Sequence, residues 1–297
     1  MAKRKKVTKK QIKQYKKLIN TIIAIVVLLI GGYFGYQELS KDPLNNYEPL
    51  PIGEYYRGAE GLSKDELNDF LHDRLRQDFL PTTYADAKVA LARADVDPNN
   101  PENVLTIYSR NSVQAEWISG NDGWTREHVW PNSRLGIERV EENDKTQASD
   151  LHNLRAIVQS VNSSRSDKYF DNTTTSESYY PGDDDKGDVA RILFYMVVMY
   201  PNLTLSDVGL DNDNTYTPEG AIMGKLSVLL EWHKEDPVDD FERNRNEIIY
   251  EYQRNRNPFI DHPEFVHYIF EDVEPETDLS HNIVYYITIR REKYINA

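Results

Sequence analysis

NDGWTREHVWPNSRLG (121–136) and SDLHNLRAIVQSVNSSRSDKYF (149–170) hold the densest chemistry of the chain. Glu127 and His128 are adjacent. Neighbouring side chains on a strand point to opposite faces, so this pair can serve one site only at a strand end or a turn. Pro131 argues that regular structure stops just beyond them. In the second segment Leu154, Ile157, Val158 and Val161 fall at the spacing of one helix face, with Asn162 at its rim. Asp150, His152, Asn153, Arg155, Arg165, Asp167 and Lys168 stand around that face.

Taken singly, each of these residues has a plainer use. A histidine beside a glutamate is more often a hydrogen-bonded surface residue than a catalyst. Asn162 could cap the C-terminus of a helix. His152 reads as a satisfied core histidine. The forked guanidinium groups of Arg155 and Arg165 suit phosphate, but could equally pair with Asp150 or Asp167. Trp124 and Trp130 read as core and wall rather than as stacking platforms.

Outward from these segments the chain divides by composition. Its 297 residues carry 35 Lys+Arg against 49 Asp+Glu, a net charge of −14, and no cysteine. Disulfides, thiol catalysis and Cys-type zinc sites are excluded. An apolar content of 39% with 20 Tyr and 9 Phe supports a folded core. Nine of the bases lie in residues 1–17, a basic leader free of acids; the remaining 26 bases face all 49 acids. Residues 18–36, LINTIIAIVVLLIGGYFGY, are uncharged and long enough as a helix to cross a bilayer. The leader places the start of the chain in the cytoplasm and the body outside. An uncleaved transmembrane anchor is preferred to a cleaved signal, whose apolar run is shorter. Residues 37–56, with Pro43, Pro49 and Pro51, read as a stalk.

Ser63 and Glu66 suggest a capping box and a helix over 63–79. A short helix is expected over 84–93, a strand about 104–108, a core helix over 189–199 behind an Asp188 N-cap, helices over 218–233 and 239–253, and a strand over 283–289. Arg243-Asn244-Arg245-Asn246 recurs as Arg254-Asn255-Arg256-Asn257, about three helical turns later, and suggests a polar solvated face.

REHVWPNS (126–133), SDLHNLR (149–155) and VNSSRSDKYF (161–170) resemble the bacterial endonuclease I family of secreted or periplasmic nucleases. The resemblance spans roughly residues 60–265 and includes GDVARILFYM, LLEWHKEDPV and RNRNPFIDHPE. It implies an α+β fold, mostly helical, carrying a His-Me finger (a β-hairpin plus helix, or ββα-metal site) in a nuclease domain over 57–270, with 271–297 as an extension. It implies that His128 is the general base and that Glu127 and Asn162 ligate one Mg²⁺-type ion, Ca²⁺ or Mn²⁺ being the alternatives. The family's phosphate-contacting arginine falls in the connector here; Arg139 is preferred to Arg134. Arg126, Arg155, Arg165 and Lys168 become the substrate-binding candidates.

The chemistry fits those residue types. A carboxylate and an amide suit a hard cation that keeps waters and a phosphate oxygen. Neutral imidazole takes a proton from water at ordinary pH. The expected function is an exported endonuclease acting on DNA, with RNA as a secondary candidate substrate, and with little sequence preference because the backbone is what it reads. It is held at the cell membrane through residues 18–36, or secreted after signal cleavage. Two alternatives stand beside it: a non-catalytic surface protein that binds nucleic acid, and a metal phosphodiesterase for small substrates. The acidic connector 138–144 and the segment PGDDDKGD read as solvated loops, with extra metal ions as the lesser alternative.

Overall fold

The computed structural model describes residues 50–118, 123–207, 221–271 and 273–275. The basic leader, the apolar segment 18–36, most of the stalk, the strand expected over 283–289 and most of the extension lie outside them. Among the described residues no helix is long and apolar enough to cross a membrane.

The first half runs α1 (Ile52–Tyr55), α2 (Lys64–Gln77), α3 (Ala87–Ala94), β1 (Val96–Asp97), β2 (Asn100–Leu105), β3 (Ser112–Gln114) and β4 (Trp124–His128). After a long connection come β5 (Leu154–Val158), α4 (Gln159–Arg165), β6 (Tyr169–Phe170), β7 (Ser178–Tyr179) and α5 (Lys186–Met199). The described residues close with β8 (Thr204–Leu205), β9 (Ile222–Met223), α6 (Leu226–Glu235), α7 (Asp240–Gln253), α8 (Pro258–Asp261) and α9 (Phe265–Phe270). Strands β1 to β3 form one antiparallel sheet, β4 and β5 a second, and two short parallel pairs complete the set. The architecture is mixed α and β, with helices dominant and small sheets.

Helix α5 sits at the centre, apolar almost all round, and α2 and α6 pack on it. A second core lies under the β4–β5 pair. There Ala87, Ala90, Leu91 and Ala94 of α3 meet Trp124, Leu154, Ala156 and Ile249. The alanines let α3 come close to both the sheet and α7. Trp124 and Trp130 are both buried, as expected of core and wall.

Several local expectations are corrected. Residues 154–158 are a strand, and the helix starts only at Gln159. Four of the five strand residues are fully covered, so the strand lacks the apolar–polar alternation that would have separated it from a helix. The helix over 63–79 is present as Lys64–Gln77, but Ser63 does not cap it; its hydroxyl donates to Glu274 instead. Asp185, not Asp188, stands at the N-cap position of α5, and Asp188 lies in the first turn, paired with Arg155. The helix expected over 218–233 begins at Leu226, after β9. Helix α7 follows the sequence reading, and Asp239 and Glu242 form its capping box.

The Arg-Asn repeat is also corrected. Its two copies do not share a solvated helix face, because α7 ends at Gln253 and Arg254 turns left-handed at φ 59°. Arg245, Asn246, Asn255, Arg256 and Asn257 are buried. Asn257 donates to the Arg191 carbonyl at 3.0 Å, and its main-chain N–H reaches Asn246 Oδ1 at 2.7 Å. Arg256 grips Asp261 and Glu247. The repeat pins the C-terminal helices to the core.

Arg155 lies inside the core, its guanidinium 3.1 Å from Asp95 and 3.0 Å from Asp188. Asp95 also receives Arg245 Nε at 2.8 Å and the Ala156 N–H at 2.6 Å. Removing one member of such a set strands the others without solvent. Asp95→Ala is therefore expected to destabilise the domain by about 3–5 kcal/mol, read as a lowered urea midpoint. An unchanged midpoint would show that these charges are not jointly buried in solution.

Candidate active site

β4 and β5 run antiparallel with Glu127 opposite Arg155 and His128 opposite Leu154. β5 passes directly into α4. Glu127 and His128 are the last two residues of β4, where the chain turns away towards Pro131. At that strand end both line one cavity of about 1050 Å³. Asn162 lines it as well, from within α4. Its Nδ2 donates to the Arg126 carbonyl at 3.3 Å, which holds the amide beside the strand bearing Glu127. Asn162 is not the helix cap; Ser166 ends α4, its N–H bonded to the Asn162 carbonyl.

The Glu127 carboxylate is buried. Oε1 accepts the Tyr108 hydroxyl at 2.9 Å and lies 3.3 Å from Arg165 Nε. Oε2 makes no hydrogen bond among the described residues. Burial pushes the carboxyl up to about 7, against the opposing pull of the Arg165 charge and the Tyr108 bond. Tyr108 adopts a left-handed backbone, φ 68°, fixed by an N–H bond to Asp185 Oδ2 at 2.7 Å. A bulky residue in that region is costly and persists only where its surroundings enforce it.

His128 is half-buried. Its Nε2 lies 2.9 Å from the Ala148 carbonyl. A carbonyl only accepts, so Nε2 carries the proton and the lone pair of the neutral ring is on Nδ1. The ring stacks on Tyr84, centroids 5.3 Å apart and planes at 26°. Burial brings its pKa down to about 4, and the charges of Arg126, Arg165 and Arg139 push the same way. The imidazole is neutral across the ordinary pH range. His152, by contrast, is fully buried, set against Tyr195 and facing the Asn255 carbonyl at 3.3 Å; it belongs to the core.

The cations separate sharply. Arg139 is exposed on the cavity and has no ion pair among the described residues. Arg134 is buried outside the lining, and burial lowers its pKa to about 9. Of the four residues expected to meet substrate, only Arg126 lines the cavity. Arg155 is taken up by Asp95 and Asp188, because two buried carboxylates require a buried cation. Arg165 donates to the Val129 carbonyl at 2.7 Å and faces Glu127, so it braces the site from behind. Lys168 is half-buried and also outside the lining.

The acidic connector forms a wall of the cavity through Arg139, Glu141, Glu142 and Asn143. Glu142 accepts Arg126 Nη2 at 2.8 Å and Lys88 Nζ at 2.9 Å. Those two hydrogen bonds hold its carboxyl down at about 2. In PGDDDKGD, Asp183 pairs with Lys186, Asp185 with Arg110 and Asp188 with Arg155. Among the described residues no group of three or more His, Asp or Glu side chains could hold a metal ion.

Sequence reading missed Tyr108, Tyr84 and the Ala148 carbonyl. Tyr108 lies 19 residues before Glu127, in a segment with no motif of its own. A main-chain acceptor such as Ala148 leaves no signal in a sequence at all.

Comparison with known proteins places this site in a lineage. The chain is 45% identical over 230 residues to an extracellular ribonuclease of Bacillus subtilis (strain 168), covering 71% of this chain and 76% of that protein. It is 42% identical, with the same coverage, to an extracellular ribonuclease of Bacillus amyloliquefaciens. The profile described as Endonuclease I matches residues 64–180 and 171–264, a span that holds β4, β5, α4 and every residue of the cavity. The chain belongs to the endonuclease I family.

Proposed function

We propose that the protein is an exported nuclease hydrolysing phosphodiester bonds of nucleic acid, with His128 as general base and Glu127 and Asn162 as the seat of one Mg²⁺-type ion. The observation that carries this reading is the meeting, on one cavity, of a neutral imidazole with an open Nδ1, a buried carboxylate with an open Oε2, and an anchored amide. RNA is the first substrate, since the relatives are named as ribonucleases. DNA follows, because phosphate contacts and attack by a water need no 2′-hydroxyl on the substrate. The extracellular naming of those relatives, together with the basic leader and apolar run of residues 1–36, supports export, by an anchor or by a cleaved signal. A non-catalytic binder would have no use for a histidine ring set by both Ala148 and Tyr84.

The donor set fits a hard divalent cation: two neutral or anionic oxygens and no sulfur or second imidazole. Glu127 and Asn162 would hold such an ion, which would offset the negative charge that builds up during phosphodiester hydrolysis. The Tyr108 hydroxyl and the Arg165 guanidinium engage Glu127 Oε1 and so leave Oε2 for the ion. His128 Nδ1 takes the proton from the attacking water, while the Ala148 carbonyl keeps the ring in the required tautomer and stabilises the positive charge it acquires. Arg139 meets the phosphate with an unspent guanidinium.

His128→Ala should slow single-turnover RNA cleavage by about 10²–10⁴-fold at saturating Mg²⁺, leaving melting temperature and metal affinity nearly unchanged. A rate within about threefold of the parent would place the base elsewhere. Glu127→Ala and Asn162→Ala should instead weaken Mn²⁺ binding measured directly by calorimetry, and extra metal should restore part of the rate.

The raised pKa of Glu127 sets a pH dependence. Below about 7 the neutral acid is the stable form, and a cation must displace its proton. Mn²⁺ affinity should therefore be constant above pH 8 and fall roughly tenfold for each unit below 7. Calorimetric titration between pH 5.5 and 8.5 measures this; a flat profile would exclude Glu127 as the ligand.

A further inference from the structure

Glu142 is placed between two cations as a phosphate group would be. Its two carboxylate oxygens are divided between them, Oε1 accepting Arg126 Nη2 at 2.8 Å and Oε2 accepting Lys88 Nζ at 2.9 Å. Both cations are held from beneath by aromatic rings. The Arg126 guanidinium lies 3.4 Å from the Tyr84 ring centroid, and Lys88 Nζ lies 5.0 Å from that of Trp117. A ring face attracts a cation whether or not an anion is present. Arg126 is also tied to the Tyr84 carbonyl, and its Nε has no hydrogen-bond partner among the described residues.

The carboxylate, by contrast, is replaceable. The Glu142 side chain is half exposed, at 52%. The connector that bears it is anchored without it, by main-chain bonds from Ala85 N to the Glu142 carbonyl (2.8 Å) and from Tyr84 N to the Asp144 carbonyl (3.0 Å). Glu142 can rotate away while the wall stays in place. Arg126 and Glu142 line the same cavity as His128; Lys88 does not line it and meets it only through Glu142, so its ammonium faces the cavity once that carboxylate has turned away.

We infer that Arg126 and Lys88 form a second phosphate subsite beside the cleavage centre, filled in the free protein by the Glu142 carboxylate and in the complex by a neighbouring phosphodiester of the same nucleic-acid strand. The inference rests on the nuclease reading above and names a contact that reading does not require. The two nonbridging oxygens of a phosphodiester take the places of Oε1 and Oε2, and the displaced carboxylate turns to solvent. Glu142 thus makes every anion compete for the site, and weak single anions lose to it while a polyanion anchored at the centre does not.

The sign of one substitution separates this from a purely structural role. A Glu142 that only supports the wall would, on removal, loosen the cavity and raise KM. A Glu142 that competes with substrate would, on removal, lower it. Steady-state cleavage of a short fluorescent oligoribonucleotide is measured for the parent, Glu142→Gln, Lys88→Gln and the double variant at several NaCl concentrations, with thermal melts alongside. Glu142→Gln is expected to lower KM about three- to tenfold at every salt concentration, because a competing anion is removed while the number of phosphates contacted stays the same. Lys88→Gln is expected to raise KM, by a larger factor when Glu142 is already removed. An unchanged or raised KM in Glu142→Gln, with the parent cleaving normally, overturns the subsite. A parent that cleaves no nucleic acid with any divalent metal overturns the nuclease reading instead.

Discussion

Burying the Arg155 guanidinium between Asp95 and Asp188 is the constraint on which the remaining architecture is built. Three charges taken out of water cost several kcal/mol each unless their geometry is nearly ideal. That requirement fixes four elements at once. Asp95 follows α3, Arg155 belongs to β5, Asp188 to α5, and Arg245, which shares Asp95, to α7. Arg191 extends the set to Glu242, 2.6 Å away. Because Arg155 is the cross-strand neighbour of Glu127, the same network that locks the core also sets the height of the strand carrying the site. Apolar side chains slide over one another at small cost; paired charges do not, and a site that needs ångström placement gains from being hung on them.

An acidic protein that handles a polyanion looks contradictory only at the level of net charge. Most of the arginines near the site are already spent: Arg126 on Glu142, Arg155 on two aspartates, Arg165 on Glu127. Long-range attraction is therefore weak, and the net charge of −14 opposes approach. What remains is short-range. Arg139 stands on an open cavity wall, and the carboxylate of Glu127 is mostly masked by burial and by its own cation. Selectivity then lies in which anion can follow the cavity and displace its occupants, not in how many anions are drawn to the surface.

Much of the site was legible in the sequence because its residues are strung along two motifs. Glu127 and His128 were expected to work together only at a strand end, and they are the last two residues of β4. Asn162 was placed on a helix and lies on one, but the helix begins five residues later than its apolar spacing implied. Leu154, Arg155, Ala156 and Ile157 are covered on both faces of the strand, and a strand covered in this way has no period to read. The arginines were the least legible. Guanidinium groups suit phosphate and carboxylate equally well, so only the fold could show that Arg155 and Arg165 face carboxylates while Arg139 faces space. The repeated Arg-Asn pairs misled for a related reason, since polar repetition signals solvent only when no buried partners await it.

Asp95 and Arg245 are separated by 150 positions, and Arg245 also takes the carbonyls of Leu151 and Leu154 at the threshold of β5. The strand bearing the site is thus fastened by a residue made late. A nascent chain that has already released β4, β5 and α4 from the ribosome holds every side chain of the cavity and Arg155 with it, yet lacks Arg245, the second cation on Asp95. Contacts of such sequence separation form last, because loop closure must precede the gain they bring. Synthesis order therefore acts as a built-in delay: the strand behind the cavity is fastened only once α7 is free to fold back.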